Sequence, residues 1–485
     1  MIDANVVGAG PNGLAAAVTL AAAGLRVRLT ERAETIGGGL RTEELTLPGF
    51  RHDLCSAVHP AALASPFFRA FRLTERVSFV VPDASYAHPL DDAPAGIAWR
   101  DLDRTAAELG DDGGAWRAFF APLVHRIDGV VDFTGSQLLR VPRRPVSAGL
   151  MGLRVLEQGT AVAGARFRGP VAPAMLAGVA AHGIGRHPSL ATAGPGVLLG
   201  AHAHAAGWGL PVGGSQAIAD ALAAELVARG GEIVTGHEVR SPADLERSRI
   251  TLLDTSVEQL VAIAGHRLPT HYRRALARFR HGDAVAKVDF ALSAPVPWAD
   301  PRVANAPTVH VGGTAAEIAA SEHAVMRRRV SDRPYVLVVQ PTVVDPSRAP
   351  AGRHTLWAYI HVPRGSRVDA TERVTAQLER FAPGFRDTVL ASVATDAAEL
   401  ERRNPNDVGG DILGGALTVP QLVKRPVVSP VPWRTPVRGL YLCSASTPPG
   451  PSVQGMNGWY AARLALREHF GVRGVPYDGT VGFGI

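Results

Sequence analysis

Apolar positions in this chain come in short runs broken by glycine-rich turns, and their spacing predicts an α/β protein. The first run ends in Gly8-Ala9-Gly10-Pro11-Asn12-Gly13. An alanine-rich helix follows from about Leu14 to Ala23, and Val27 to Thr30 reads as a second strand ending at Glu31. Farther on, Gly207-Trp208-Gly209-Leu210-Pro211-Val212-Gly213-Gly214 opens an amphipathic helix from Ser215 to Arg229. It stops at Gly230-Gly231, before a strand from Glu232 to Thr235. Ile250 to Asp254 is another short strand. Alternating and β-branched residues over Ala284 to Ala291 and Tyr335 to Val339 predict a second sheet, with His354 to His361 pairing to it. A helix over Thr371 to Phe381 leads to a polar loop around Asn404 to Asp411. The chain closes with a buried-type strand, Gly439 to Cys443, and a helix from about Gln454 to Phe470. Only between Phe79 and Gly207 does the pattern loosen, into Ala- and Gly-rich helical stretches with several prolines.

The opening run carries the chemistry. Strand, glycine turn, helix, second strand and an acid about 20 residues on form the dinucleotide-binding fingerprint in its required order. Gly8 permits the tight turn, Gly10 lets the backbone approach a pyrophosphate, and Gly13 lets helix and strand pack closely. Pro11 and Asn12 complete the turn, where the helix N-terminus offers free N–H groups and a positive dipole end. Glu31, followed by Arg32, is placed to accept hydrogen bonds from a ribose hydroxyl. A second cluster, Ile36-Gly37-Gly38-Gly39-Leu40-Arg41-Thr42, follows at once. A nicotinamide enzyme needs no such cluster, whereas a chain threading an extended FAD must pass the diphosphate again. Gly38, Gly39, Leu40 and Arg41 are therefore read as contacts of non-covalent FAD, with Arg41 facing a phosphate or the flavin.

Composition trims the alternatives. All but two of the 50 basic residues are arginine, Lys287 and Lys424 being the exceptions, and they are spread along the chain. The net charge of +6 is thus a compositional bias, and with no aromatic-interleaved basic motif no nucleic-acid partner is expected. Cys55 and Cys443 are the only cysteines and lie far apart, which excludes redox-dithiol chemistry and a zinc-type cluster. No metal is expected. The longest apolar runs, such as Leu14 to Leu25, fall well short of a membrane span, and the chain enters its fold at once, so cytoplasmic residence is the expectation.

Four blocks, Val6 to Asp53, Gly207 to Thr235, Pro341 to Pro363 and Asn404 to Leu466, make the chain resemble the phytoene-desaturase-like FAD oxidoreductases. It is most similar to their non-carotenoid branch, named pyridine nucleotide-disulfide oxidoreductase-like. The resemblance implies an amine-oxidase-like flavoprotein fold: a discontinuous FAD-binding domain (1–75, 208–283 and 425–485) with an interleaved α+β substrate domain (76–207 and 284–424). It implies that the strand after Gly231 passes the adenine with Val239 as backbone contact. Cys55 to Pro60 would line the route to the isoalloxazine. Ser444 to Ser446 would lie near the ribityl chain or pyrophosphate, and the backbone around Val453, Gln454 and Met456 would face the flavin C2 carbonyl. The chain departs from the family at Ser444, at Pro449-Gly450-Pro451-Ser452, and in the shortened hairpin Ser241 through Ser248.

The expected activity is that of an FAD-dependent dehydrogenase or desaturase passing a hydride from an apolar, lipid-like small molecule to flavin N5. A flavin-binding scaffold with little turnover, favoured by the altered C-terminal loop, is the alternative; a nicotinamide dehydrogenase is a lesser one. With one fingerprint only, electrons leave to oxygen, a quinone or another acceptor. No side chain stands out as catalytic; His59 and His204 are weak candidates for an acid or base, each read first as structural. The region Leu138-Leu139, Val146 to Leu156 and Val171 to Ala181, with Arg140, Arg143, Arg144 and Arg154, reads either as an entrance resting on a membrane surface or as a helical lid with solvated arginines. No sustained amphipathic pattern runs through it, so the lid is preferred.

Overall fold

The computed structural model describes residues 2–479. Its first layer is a five-stranded, wholly parallel sheet in the order Leu440–Leu442, Ile250–Leu253, Ala4–Val7, Val27–Thr30, Glu232–Val234. The central strand, Ala4–Val7, is buried at every position because both faces are covered. The helix Pro11–Ala22 lies on one face, between the sheet and the helices Gln216–Ala228 and Met456–Phe470. The last of these comes into backbone contact with it: a Cβ on Gly458 would stand 1.9 Å from the Asn12 carbonyl oxygen. The helix begins three residues before the sequence pattern suggests, because Pro11 presets its first turn. The last helix begins two residues later, at Met456, after Gly455 turns with φ +67°.

The second layer is a seven-stranded sheet in the order Val389–Thr395, Ala284–Leu292, His354–Val362, Val336–Val339, Thr308–Val311, Ala84–His88, Gly96–Trp99. Only Thr308–Val311 and Ala84–His88 pair in parallel; the other neighbours are antiparallel. Four of these strands are absent from the sequence expectation, and two fall inside the stretch read there as helical. Their polar positions explain the miss, since each is satisfied far away: Ser85 donates to the Ala203 carbonyl, and His88 bonds that of Gly313. Helices Gly113–Val124, Pro145–Gln158, Val171–Ala180 and Leu190–Ala205 pack beside this sheet around Trp116, Phe119 and Phe120. Among the described residues no helix is long and apolar enough to cross a membrane.

Candidate active site

One cavity of about 810 Å³ runs from the glycine turn of the parallel sheet to the wall of the second sheet. At the turn end the backbone is packed to the limit. Gly8 has φ +95°, and a Cβ there would stand 2.7 Å from the Asp254 carbonyl oxygen. A Cβ on Gly13 would stand 1.9 Å from the Gly8 oxygen, so only glycine lets the helix leave the strand here. The second glycine cluster runs against the first: Gly37 N–H donates to the Ala9 carbonyl at 2.8 Å, and a Cβ on Gly38 would meet Gly10 Cα at 3.1 Å. Glu31 buttresses both, accepting from the backbone N–H of Ala9 at 2.7 Å and of Ala33 at 2.8 Å. The Asn12 side-chain oxygen is buried without a hydrogen-bond partner among the described residues, a vacancy that a ligand donor would fill.

Asp254 belongs to this end and follows from no local motif. Its carboxylate accepts the Gly13 N–H at 2.8 Å, and a Cβ on Gly10 would press against it. Burial, only partly offset by that hydrogen bond and reinforced by Glu31, pushes its pKa up to about 7. Asn406 holds the loop, donating to the Asp254 carbonyl and accepting from Ser256 N–H.

At the opposite end the wall is made of side chains. Lys287 places its ammonium 2.5 and 2.6 Å from the two oxygens of Asp289 and 5.4 Å from the ring centre of Trp357, which stacks on Tyr359. Burial favours the neutral form of Asp289, but the Lys287 charge and His52 hold it below the usual carboxylate range. His182 shares a 2.8 Å Nε2–Nε2 hydrogen bond with His310, and burial takes it down to about 3. Beside the Cys55 thiol, which burial pushes up to about 12, lies Asp407, raised to about 7 by burial and then by Asp411. His59 is held by Ser215: since the Ser215 hydroxyl donates to the Ser56 carbonyl, His59 Nε2–H donates to Ser215 at 2.7 Å. Burial lowers His59 to about 4, leaving it neutral.

A family model for an NAD(P)-binding Rossmann-like domain matches residues 6–72, which hold both glycine clusters and Glu31. Over nearly its whole length the chain is 27% identical to pyridine nucleotide-disulfide oxidoreductase domain-containing protein 2 of Mus musculus, covering 96% of this chain and 93% of that one. The chain is similar over nearly its whole length to the pyridine nucleotide-disulfide oxidoreductase domain-containing proteins. An uncharacterized protein of Mycobacterium tuberculosis (strain ATCC 25618 / H37Rv) is 26% identical, covering 96% of this chain and 97% of its own. Among solved structures, putrescine oxidase bound to putrescine superposes with a TM-score of 0.60 at 17% identity, covering 96% of this chain and 97% of that one. Cyclohexylamine oxidase from Brevibacterium oxydans gives 0.58 at 16% identity, with the same coverage. The fold is thus that of the amine oxidases.

Of the residues named from sequence, Gly8, Gly10, Pro11, Asn12, Glu31, Arg32, Gly38, Gly39, Arg41, Val239, Ser444, Val453 and His59 all line this cavity. Arg41 also donates to the carbonyls of Gly38 and Arg403, and Arg32 to those of Arg402 and Arg403, so both cap the helix Ala397–Arg403. Gly13 and Leu40 pack beneath the lining, and Met456 is buried in the core under the turn. Gln454 lies behind it and offers its carbonyl to the Ser65 hydroxyl at 2.6 Å. The C-terminal loop is pinned by Asn457, whose amide donates to the carbonyls of Ser444 and Thr447, and Ser452 is held there at φ +142°. His204 has the structural surroundings that the sequence reading preferred for it. It lies outside the cavity with both ring nitrogens engaged: Nε2 accepts from the Trp116 indole at 3.1 Å and Nδ1 donates to the Trp99 carbonyl at 2.8 Å. It is a structural histidine. The sequence reading missed Asp254, Lys287, His182, Trp357 and Asn457. Only Lys287 left a signal, as one of two lysines in an arginine-biased chain.

Proposed function

We propose that this protein is an FAD-dependent dehydrogenase that takes a hydride from an apolar small molecule. The reading is carried by one observation: the cavity that begins at the paired glycine clusters continues, without a dividing wall, into an apolar chamber at the second sheet. The residues present fit the cofactor. The Gly8–Gly13 turn and Gly38 would hold the pyrophosphate on backbone alone, Glu31 keeps acceptor capacity for a ribose hydroxyl, and the Ser444 and Val453 loop would close over the ring. Bound there, FAD supplies a two-electron acceptor. The rest is the chain's own work. Val285, Leu337, Val339, Trp357, Tyr359 and Leu199 exclude water and orient an apolar substrate. His59, His182 and Cys55 are neutral at physiological pH, which suits removal of hydride from carbon and leaves no strong base or thiolate nucleophile. Oxygen or a quinone is the proposed final acceptor.

The test is the visible absorption spectrum of the purified protein before and after denaturation and filtration. A two-banded flavin spectrum whose chromophore passes the filter is expected. A colourless protein that takes up no added FAD would overturn the proposal.

A further inference from the structure

A second cleft, of about 250 Å³, shares no lining residue with the first. It lies between the segment that includes helix Ile127–Thr134 and the outer face of helix Met456–Phe470. One edge is tied by Gln137, whose amide donates to the Pro430 carbonyl at 2.9 Å. Its lining is unusual for this molecule. Arg140, Arg143, Arg463 and Arg467 converge on it, against a single lining carboxylate, Asp132. Elsewhere a single arginine can draw on two acids: Arg380 pairs with both Asp91 and Glu317, and Arg302 with both Asp300 and Glu108. Here Asp132 is 2.9 Å from Arg140 and 3.8 Å from Arg143, and so already serves two guanidiniums.

Two further observations show that the cluster is incomplete. The Nε atoms of Arg140 and of Arg463 are both buried without a hydrogen-bond partner among the described residues. A buried guanidinium N–H left unmade costs free energy that an acceptor would return. Arg463, lying over the Trp459 ring at 5.1 Å, is also depressed below the usual guanidinium range, by burial first and then by Arg467, against the pull of Asp478. Like charges crowded at a half-buried site are stabilised by an anion placed between them. The volume exceeds the share of a single water, about 30 Å³, several times over. Ser136 and Tyr460 add hydroxyl groups to the lining. Guanidinium forks match the several oxygens of a phosphate better than a point charge does.

We infer that this cleft is a binding site for a phosphate group, carried by a soluble phosphate ester or by a lipid headgroup. The test titrates the full-length protein, in chloride buffer, with inorganic phosphate by calorimetry. In parallel, the protein is sedimented with phosphatidylcholine vesicles that contain or lack phosphatidylglycerol. Binding in at least one arm is expected, weakened about tenfold by Arg463→Gln and by Arg467→Gln and unchanged in Arg327→Gln, an exposed arginine elsewhere. Arg467 is exposed, so its substitution leaves folding intact and separates loss of the site from loss of the protein. Saturable phosphate binding identifies a soluble ester as the source; capture by phosphatidylglycerol vesicles alone identifies a headgroup. No binding beyond the chloride control in either arm, or binding that both substitutions leave unchanged, overturns the inference.

Discussion

The turn end and the sheet end of the main cavity each bury a carboxylate, and they resolve the problem in opposite ways. Asp289 meets a cation and stays ionised; Asp254 meets one backbone N–H and a neighbouring acid, and its proton is held up to about neutral pH. Removal from water costs both carboxylates alike, so the partner decides the sign. The difference suits the two ends to different tasks. An uncompensated cation beside the turn would compete with helix Pro11–Ala22 for an anionic pyrophosphate, whereas a neutral acid braces the turn without repelling it. At the sheet end the Lys287–Asp289 pair fixes polar groups inside an apolar wall.

Three perturbations act on this comparison. The largest removes the turn's close packing. Gly13→Val places carbon atoms where the Gly8 carbonyl stands, which forces the helix off the strand and takes the Gly13 N–H away from Asp254. A loss of more than about 4 kcal/mol in urea unfolding is expected, with no dinucleotide retained. A variant as stable as the parent that still binds the dinucleotide would show that the turn does not depend on this contact.

The second breaks the pair at the other end. Lys287→Met leaves Asp289 buried with His52 alone and is expected to cost about 3 kcal/mol, since an orphaned buried charge is worse than none. Adding Asp289→Leu should recover most of that loss. A single-variant cost below about 1 kcal/mol would mean that Asp289 does not rely on the ammonium.

These two sites differ equally in how far they could be read from sequence. The turn was legible because its constraint is local: glycines at fixed spacing, a strand before, a helix and an acid after. The five-stranded sheet was legible for a related reason, its strands being short apolar runs bounded by turns. Asp254 and Lys287 were not, because their meaning lies in contacts that sequence spacing does not encode. Asp254 reaches Gly13 across 241 positions, and Asn457 holds Ser444 by a side-chain amide that reads as surface. The missed strands share this cause. Thr308–Val311 carries His310, a polar residue in a buried strand, which is tolerated because His182 bonds it from the turn after helix Val171–Ala180. Binary patterning counts such positions as exposed and breaks the strand there.

The smallest effect sharpens the comparison most. Because the folded pKa of Asp254 is raised to about 7, the folded protein holds a proton that the unfolded chain releases above the ordinary carboxylate range. The contribution of this group to stability therefore falls as pH rises from about 4 to about 7. Dinucleotide binding has the same sign. A pyrophosphate seated on Gly10 adds negative charge beside Asp254, raises its pKa further and draws a proton on binding. Affinity should then weaken by up to about tenfold between about pH 6.5 and 8.5, as ionised Asp254 becomes the form that must be titrated. Asp254→Asn keeps an oxygen for the Gly13 N–H and removes the titration. Measured by fluorescence titration, its affinity should be flat over that range and should equal that of the parent at the acid end. Matching slopes in parent and variant would place the titrating group elsewhere in the cavity, with Asp407, also raised to about 7, as the next carboxylate to replace.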